Sequence, residues 1–427
     1  MASSNTVDKS AYGNNKLAQW GIANDQMTKL RKWLCFWVLF AFGATCVYQW
    51  QMMAPVIAPI AEVFGIDPAN MGFLMSVYTI AGLILAYPCT WLMQHFGIKF
   101  SLLVTAVLAV LGNLICLFAV DSTVFLVGRA IQGCGFGLIA VLGPNIMPRL
   151  FPLEEQGLVM GIWSQWVTPG IAMGALSTPI LFQAFGWQSI FYLSTVLTVI
   201  TTILLIIFVQ LPLVPENLLR EDNLEKEDKP ASAKKIYVRD AVIVGFGFVA
   251  WATVYGCYNS FFPTYLQQTL GMDLMSSSMT TLVTALVTIP SGIFIGWLAD
   301  KIRQRKLILI IGYICTGILF AFFIWQDAGS VALAWTCAVL LGFICAGIVP
   351  TMTRAIIPVL AQRPKQTDWA LTGMAFVTQL GSLIATFFAT VMVATSWGTA
   401  GMVYGIIGGL VGLASIVFVK NDHNIDV

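Results

Sequence analysis

Gly296-Trp297-Leu298-Ala299-Asp300-Lys301-Ile302-Arg303-Gln304-Arg305-Lys306 runs directly into Leu307-Ile308-Leu309-Ile310-Ile311-Gly312-Tyr313-Ile314-Cys315-Thr316-Gly317-Ile318-Leu319-Phe320-Ala321-Phe322-Phe323-Ile324-Trp325-Gln326. The second stretch carries no charge and is about as long as one helical crossing of a bilayer core, roughly 20 residues. The first stretch crowds Lys301, Arg303, Arg305 and Lys306 into a short polar turn behind another apolar run. An amphipathic helix of a soluble protein would keep a charged face. A barrel strand would alternate and stop after about ten residues. This pair of stretches reads as a membrane helix entered from a basic loop.

The whole chain repeats that pattern. It has 427 residues, of which 58% are hydrophobic and 10% charged, where soluble folds carry about 25% charged residues. Mean hydropathy is +0.83. These values exclude an ordinary soluble enzyme and a disordered or fibrous chain. The net charge of +2 gives no electrostatic reason for a nucleic-acid partner. Apolar runs fall at about 34–58, 70–93, 100–120, 122–147, 157–182, 188–211, 241–266, 275–299, 307–326, 330–353, 369–394 and 398–419. The fold class is therefore an all-α membrane protein with twelve transmembrane helices. Residues 1–33 form a polar tail ending in Lys29-Leu30-Arg31-Lys32, without the pattern of a cleaved signal.

Charge placement sets the expected sidedness. Of the 22 Lys and Arg residues, all but Arg129 fall in tails, loops and helix ends on one side. The opposite loops and helix ends hold Glu62, Asp67, Asp121, Asp273 and Asp327. The positive-inside rule then places both termini in the cytoplasm, and the expected location is a plasma (inner) membrane, as a multi-pass protein. The nine cysteines lie inside spans with no C-x-x-C pair, which favours neither a disulfide framework nor a zinc site.

Residues 212–240, rich in Glu, Asp, Lys and Pro, divide the chain. The two sides resemble each other. Gly65-Ile66-Asp67 and Trp91-Leu92 recur 206 positions later as Gly271-Met272-Asp273 and Trp297-Leu298, and Pro144, Arg149 and Pro152 find counterparts in Pro350, Arg354 and Pro358. The expected organisation is a tail (1–33), a six-helix bundle (34–211), a linker (212–240), a second pseudo-symmetric six-helix bundle (241–419) and a tail (420–427). Duplicated halves of this kind imply a secondary transporter with its site between them, near the bilayer midplane.

Two motifs carry a family resemblance. Gly296-Trp297-Leu298-Ala299-Asp300-Lys301, followed by Arg303 and Arg305, resembles the G-x-L-a-D-[RK] loop of the major facilitator superfamily in its second-half copy. Arg129-x-x-Gln132-Gly133-x-Gly135-x-Gly137 resembles that family's R-x-x-Q-G-x-G signature. The resemblance implies alternating access, with Asp300, Lys301, Arg303 and Arg305 acting as a gating lock. The first-half copy of the loop is degenerate, with Gln94 and His95 in place of the Asp and Arg. Pro169-Gly170 and Gly174 in span five are a fragment of the family's antiporter signature, and small residues at this spacing also pack helices closely.

All twenty acids lie in loops, tails or helix ends, and both histidines, His95 and His423, lie on the basic side. An intramembrane proton relay needs a titratable group, so a buried carboxylate-based symporter is not expected. Arg129 stands about two turns below Asp121, on the order of 12 Å into the membrane. Such a guanidinium must meet carbonyls, water or a ligand. An anionic substrate would supply the missing counter-charge. Tyr48, Gln51 and Gln132 with Arg129 in the first half, and Trp251, Tyr255, Tyr258 and Asn259 in the second, are the expected substrate-binding residues. The resemblance places spans one, four, seven and ten around the cavity.

The leading expectation is a monomeric carrier of a small organic anion, most simply a carboxylate, working as exchanger or uniporter. The alternative is a carrier or exporter of neutral, amphipathic or quaternary-ammonium compounds, held by cation–π and apolar contacts in an aromatic cavity. No catalytic, cofactor or metal constellation is expected. The bilayer and a small-molecule substrate are the expected partners.

Overall fold

The computed structural model describes residues 27–67, 70–152, 155, 159, 162–163, 165–212, 231–302, 304–326, 330–361 and 364–419, leaving aside the side chains at 94, 148, 231–239, 241, 300, 355, 357–361 and 364–372. Among these residues there is no β-strand. Twelve helices form the spans, in order: α1 Lys29–Gln51, α2 Phe73–Phe96, α3 Ile98–Leu117, α4 Ser122–Leu150, α5 Val167–Phe185, α6 Gln188–Phe208, α7 Ala231–Leu270, α8 Leu274–Ile302, α9 Arg305–Leu319, α10 Val331–Leu341, α11 Pro364–Thr386 and α12 Trp397–Val417, with short helices Ile57–Val63 after α1 and Phe388–Ala394 after α11. Helix α9 continues as a π-helical segment, Phe320–Ile324, and α10 as a π segment, Gly342–Ile348, then an α segment, Val349–Ala361. Eleven helical stretches are long and apolar enough to cross a bilayer. Helix α5 fills the remaining place, its apolar character diluted by Thr168, Pro169, Pro179 and Gln183. Helix α7 begins at Ala231, so the last residues of the expected linker form its first turns.

Local chemistry sets the helix ends. Asp121 caps α4 by accepting from the Val124 N–H at 2.9 Å, and Ser330 and Ser396 cap α10 and α12 in the same way. Asp273 precedes α8 and accepts from the Ser276 N–H at 3.0 Å. Hydrogen bonds from Ser276 hold its carboxyl below the usual carboxylate range. The repeated Gly-x-Asp turns have the same backbone, with Gly65 at φ +64° and Gly271 at φ +61°. Left-handed φ at both positions explains why the repeat keeps glycine there.

Packing organises the helices into two six-helix bundles. In the first, α4 lies against α2 and α3, and α1 lies against α5 and α6. In the second, α7 lies against α11 and α12, α9 against α12, and α8 against the π segment of α10. The halves meet where α5 packs on α8, α11 packs on α2, and α7 packs on the short 3-10 turn Ala54–Val56 after α1. Aliphatic and aromatic side chains such as Ile293, Phe118 and Ile84 face outward, as lipid contact requires.

Small residues set the closest approaches. A Cβ on Gly133 would stand 1.9 Å from the Tyr78 carbonyl oxygen, and one on Gly137 2.4 Å from the Gly82 Cα. Gly170 and Gly174 of α5 fit equally closely against Ala44, Val47 and Gln51 of α1. Without water to drive helices together inside a bilayer, such contacts supply the packing energy. Gly133→Ala and Gly137→Ala should each destabilise by about 1–3 kcal/mol, the usual cost of overpacking. Gly296→Ala, whose added Cβ meets nothing within 4 Å, should leave the melting temperature unchanged or slightly raised. Thermal melting in detergent, followed by tryptophan fluorescence, checks the contrast.

Candidate functional site

The first half is built around Arg129, whose side chain is fully buried. Its Nη1 donates to the Gln49 carbonyl at 2.6 Å and to Gln132 Oε1 at 2.8 Å, and its Nε donates to the Leu74 carbonyl at 3.2 Å. The guanidinium also lies 4.6 Å from the centre of the Tyr78 ring. Nη2 has no hydrogen-bond partner. Gln49 stands in the last turn of α1, where carbonyls lack an intrahelical N–H. Arg129 therefore serves as a charged C-cap for α1, at the negative end of its dipole.

From Arg129 a polar chain crosses the half. Gln132 Nε2 donates to Asn113 Oδ1 at 2.9 Å, which also accepts from Ser194 Oγ at 2.7 Å. Asn113 Nδ2 reaches Thr198 Oγ1 at 3.3 Å, and Gln49 Nε2 donates to the same hydroxyl at 2.8 Å. Helices α1, α3, α4 and α6 are tied together by these bonds. Asn113, Ser194 and Thr198 were not among the expected residues. The available signal was polar spacing: Ser194, Thr198 and Thr201 share one face of α6, and Asn113 interrupts an apolar α3.

The other expected residues divide into two groups. Gln51, fully buried, donates from Nε2 to the Asn259 carbonyl across the halves at 3.3 Å, while its Oε1 has no partner. Asn259 Nδ2 donates back to the Tyr255 carbonyl at 2.9 Å. Tyr255 is half-buried beside Trp251, ring centres 5.3 Å apart. Gln51 and Asn259 meet at the seam, with Tyr255 beside Asn259. Tyr48 instead accepts from Ser177 Oγ of α5 at 3.2 Å, and Tyr258 shares a 2.7 Å hydrogen bond with Thr284 of α8. Both are buried within their own halves. Trp251 commits its Nε1 to the Cys345 carbonyl at 2.8 Å and stacks on Phe248 on its other side.

At the basic end, Lys301 Nζ lies 5.0 Å from the centre of the Trp297 ring, and His95 stacks on Trp91 at 4.6 Å. The two pairs stand 206 positions apart. Arg305 opens α9. The Asp300 side chain and all of Arg303 lie outside the described residues. No group of His, Cys, Asp and Glu able to hold a metal occurs among the described residues.

The model of the Major Facilitator Superfamily matches residues 39–375. The chain belongs to that superfamily. It is 22% identical to the 4-hydroxybenzoate transporter PcaK of Acinetobacter baylyi, over 94% of this chain and 93% of the relative. It is 24% identical to the hexuronate transporter of Bacillus subtilis, over 75% of this chain and 74% of the relative. The crystal structure of a D-xylose-proton symporter superimposes with a TM-score of 0.69 at 17% identity, over 92% of this chain and 99% of that one. The protein is thus an integral multi-pass transporter of small solutes and not an enzyme, a member of the family its two motifs resemble.

The polar chain yields a stability prediction. Asn113→Leu removes the acceptor of Gln132 and Ser194, and buried groups left unpaired cost about 1–3 kcal/mol. Membrane reference states soften such losses towards about 0.6–1.7 kcal/mol. A lowered melting temperature in detergent is expected for Asn113→Leu, with a smaller drop for Ser194→Ala, which removes a single donor.

Proposed function

We propose that this transporter carries a small organic anion, a carboxylate, by alternating access as an exchanger or uniporter. It works as a monomer in the plasma (inner) membrane with both termini in the cytoplasm. The observation that carries the reading is the charge balance at Arg129. A fully buried guanidinium keeps Nη2 unpartnered, and its described acceptors are two backbone carbonyls and an amide oxygen, with no carboxylate among them. A carboxylate offers the charge-assisted hydrogen bonds that site lacks. The named substrates of two relatives, 4-hydroxybenzoate and hexuronate, are both carboxylates. Gln51 and Asn259, at the seam beside Tyr255, supply further polar contacts to the substrate.

The geometry gives less support to a cation held by aromatic faces. Trp251, the strongest candidate for such a role, has Phe248 stacked on it at 4.6 Å and Tyr255 at 5.3 Å, three residues before and four after it on the helix. Its indole faces are occupied by protein.

Counterflow in proteoliposomes loaded with a panel of aromatic and aliphatic carboxylates tests the proposal. Arg129→Gln should reduce carboxylate exchange at least tenfold, with Arg129→Lys between it and wild type. Anion transport at wild-type affinity in Arg129→Gln would overturn the role given to this residue. Saturable uptake of a neutral or quaternary-ammonium compound, with no carboxylate exchanged, would overturn the substrate class. The internal pH should stay constant during exchange, because among the described residues no carboxylate or imidazole lies in the central turns of a span, the buried Asp240 standing near the basic end of α7.

A further inference from the structure

Two hydrogen bonds cross between the halves where α1 breaks. The helix stops at Gln51, turns through Met52 and Met53, forms the 3-10 turn Ala54–Val56 and resumes as Ile57–Val63. From the first half, Gln51 Nε2 donates to the Asn259 carbonyl of α7 at 3.3 Å. From the second half, Gln267 Nε2 donates to the Pro55 carbonyl at 3.3 Å and to Ser277 Oγ at 3.1 Å. Each half thus gives one amide donor and one backbone carbonyl. Asn259 and Gln267 lie two turns apart on α7, about 12 Å along the axis. The contact therefore runs along the outer third of the helix, on the side of Glu62 and Asp273.

Proline and the break leave the two carbonyls open. Pro263 of α7 has no N–H for the Asn259 carbonyl four residues before it, and the Pro55 carbonyl lies in the 3-10 turn that interrupts the first span. Arg129 fixes the last turn of α1 through the Gln49 carbonyl, so the position of the broken segment is set from inside the first half. Gln267 contributes the side chain of the second bond that can be exchanged, because its acceptor in the 3-10 turn, the Pro55 carbonyl, is backbone.

We infer that Gln51–Asn259 and Gln267–Pro55 form a reciprocal latch that seals the acidic end of the carrier, with Gln267 as its positioning residue. The latch must part whenever the transporter opens to that side. Both bonds are between neutral groups and are individually weak, which suits a contact that is made and broken in every cycle. The inference uses the transporter's change of access and not the identity of its substrate, so it stands or falls independently of the anion proposal.

The test reads access without substrate. Thr281 is buried on α8 one turn beyond Ser277, on the same face, and Thr281→Cys places a thiol behind the latch. Sealed vesicles are treated with a membrane-impermeant maleimide from the acidic side, and labelling of the parent protein corrects for native cysteines. Gln267→Leu and Gln267→Ala should each speed labelling about three- to tenfold, the population shift expected from losing one neutral hydrogen bond. Gln267→Leu retains side-chain volume and reports if the alanine variant does not fold. Spin labels at the exposed Glu62 and Asp273 should show a larger share of the long distance in Gln267→Leu. Unchanged labelling and unchanged distances in a Gln267→Leu protein that melts with the parent would overturn the latch.

Discussion

An arginine inside an apolar bundle must find something to share its charge with, and Arg129 finds the end of a helix. The carbonyl of Gln49 lies in the final turn of α1, where the chain has no N–H of its own to offer. The charge and the orphan acceptor answer each other's cost. The negative end of a helix dipole does for this guanidinium part of what a carboxylate does elsewhere. The Leu74 carbonyl, the Gln132 amide and the Tyr78 ring complete the enclosure. Once α1 is stopped at Gln51, the chain beyond it is free to turn, and that turn is what α7 packs against. This part of the seam, beside the α5–α8 and α11–α2 contacts, therefore rests on an interaction buried wholly within one half.

This dependence bears on what an anionic substrate could do. Arg129 uses three of its five N–H groups on protein acceptors, and the pair on Nη2 is left. An anion drawn towards Nη2 competes with no existing bond. It would change the electrostatic balance at the end of α1 without dismantling the cap. Binding and the geometry of the break are then linked through one side chain, which is the arrangement a carrier needs if occupancy is to bias its conformation.

Much of the architecture was legible in the sequence because a bilayer imposes length and polarity on each element separately. The apolar runs, the basic turns and the repeated Gly-x-Asp could be read locally, and the left-handed Gly65 and Gly271 have the same cause in both halves. Arg129 was legible for the same reason, as the one charge inside a span. Convergence was not legible. Asn113, Ser194 and Thr198 are ordinary isolated polar residues in their own helices, and only tertiary packing joins them to Gln132. The direction of Trp251 was equally hidden. Its spacing with Tyr255 marks one face of α7, but the Cys345 carbonyl that holds its N–H lies in a π segment that no periodicity announces.

The two halves solve the problem of rigidity with different chemistry. The first joins side chain to side chain across four helices through Asn113. The second lets α10 widen into a π segment and ties the displaced carbonyls to neighbouring helices: Ser291 Oγ donates to the Phe343 carbonyl at 2.7 Å, and Trp251 Nε1 to that of Cys345. Widened turns disturb the regular hydrogen-bond ladder, and partners from other helices restore the balance. Between the halves the contacts are of another kind. Gln379 Nε2 is buried against Gly82 without a hydrogen-bond partner, and Gln165 Nε2 lies beside Gly292. Amides that touch glycine backbones across α2–α11 and α5–α8 give close fit with little directional bonding. A structure whose strong polar ties lie within each half, with weak ones across the seam, is suited to moving as two bodies. The reciprocal amide bonds at the acidic end are where that movement meets its most specific resistance.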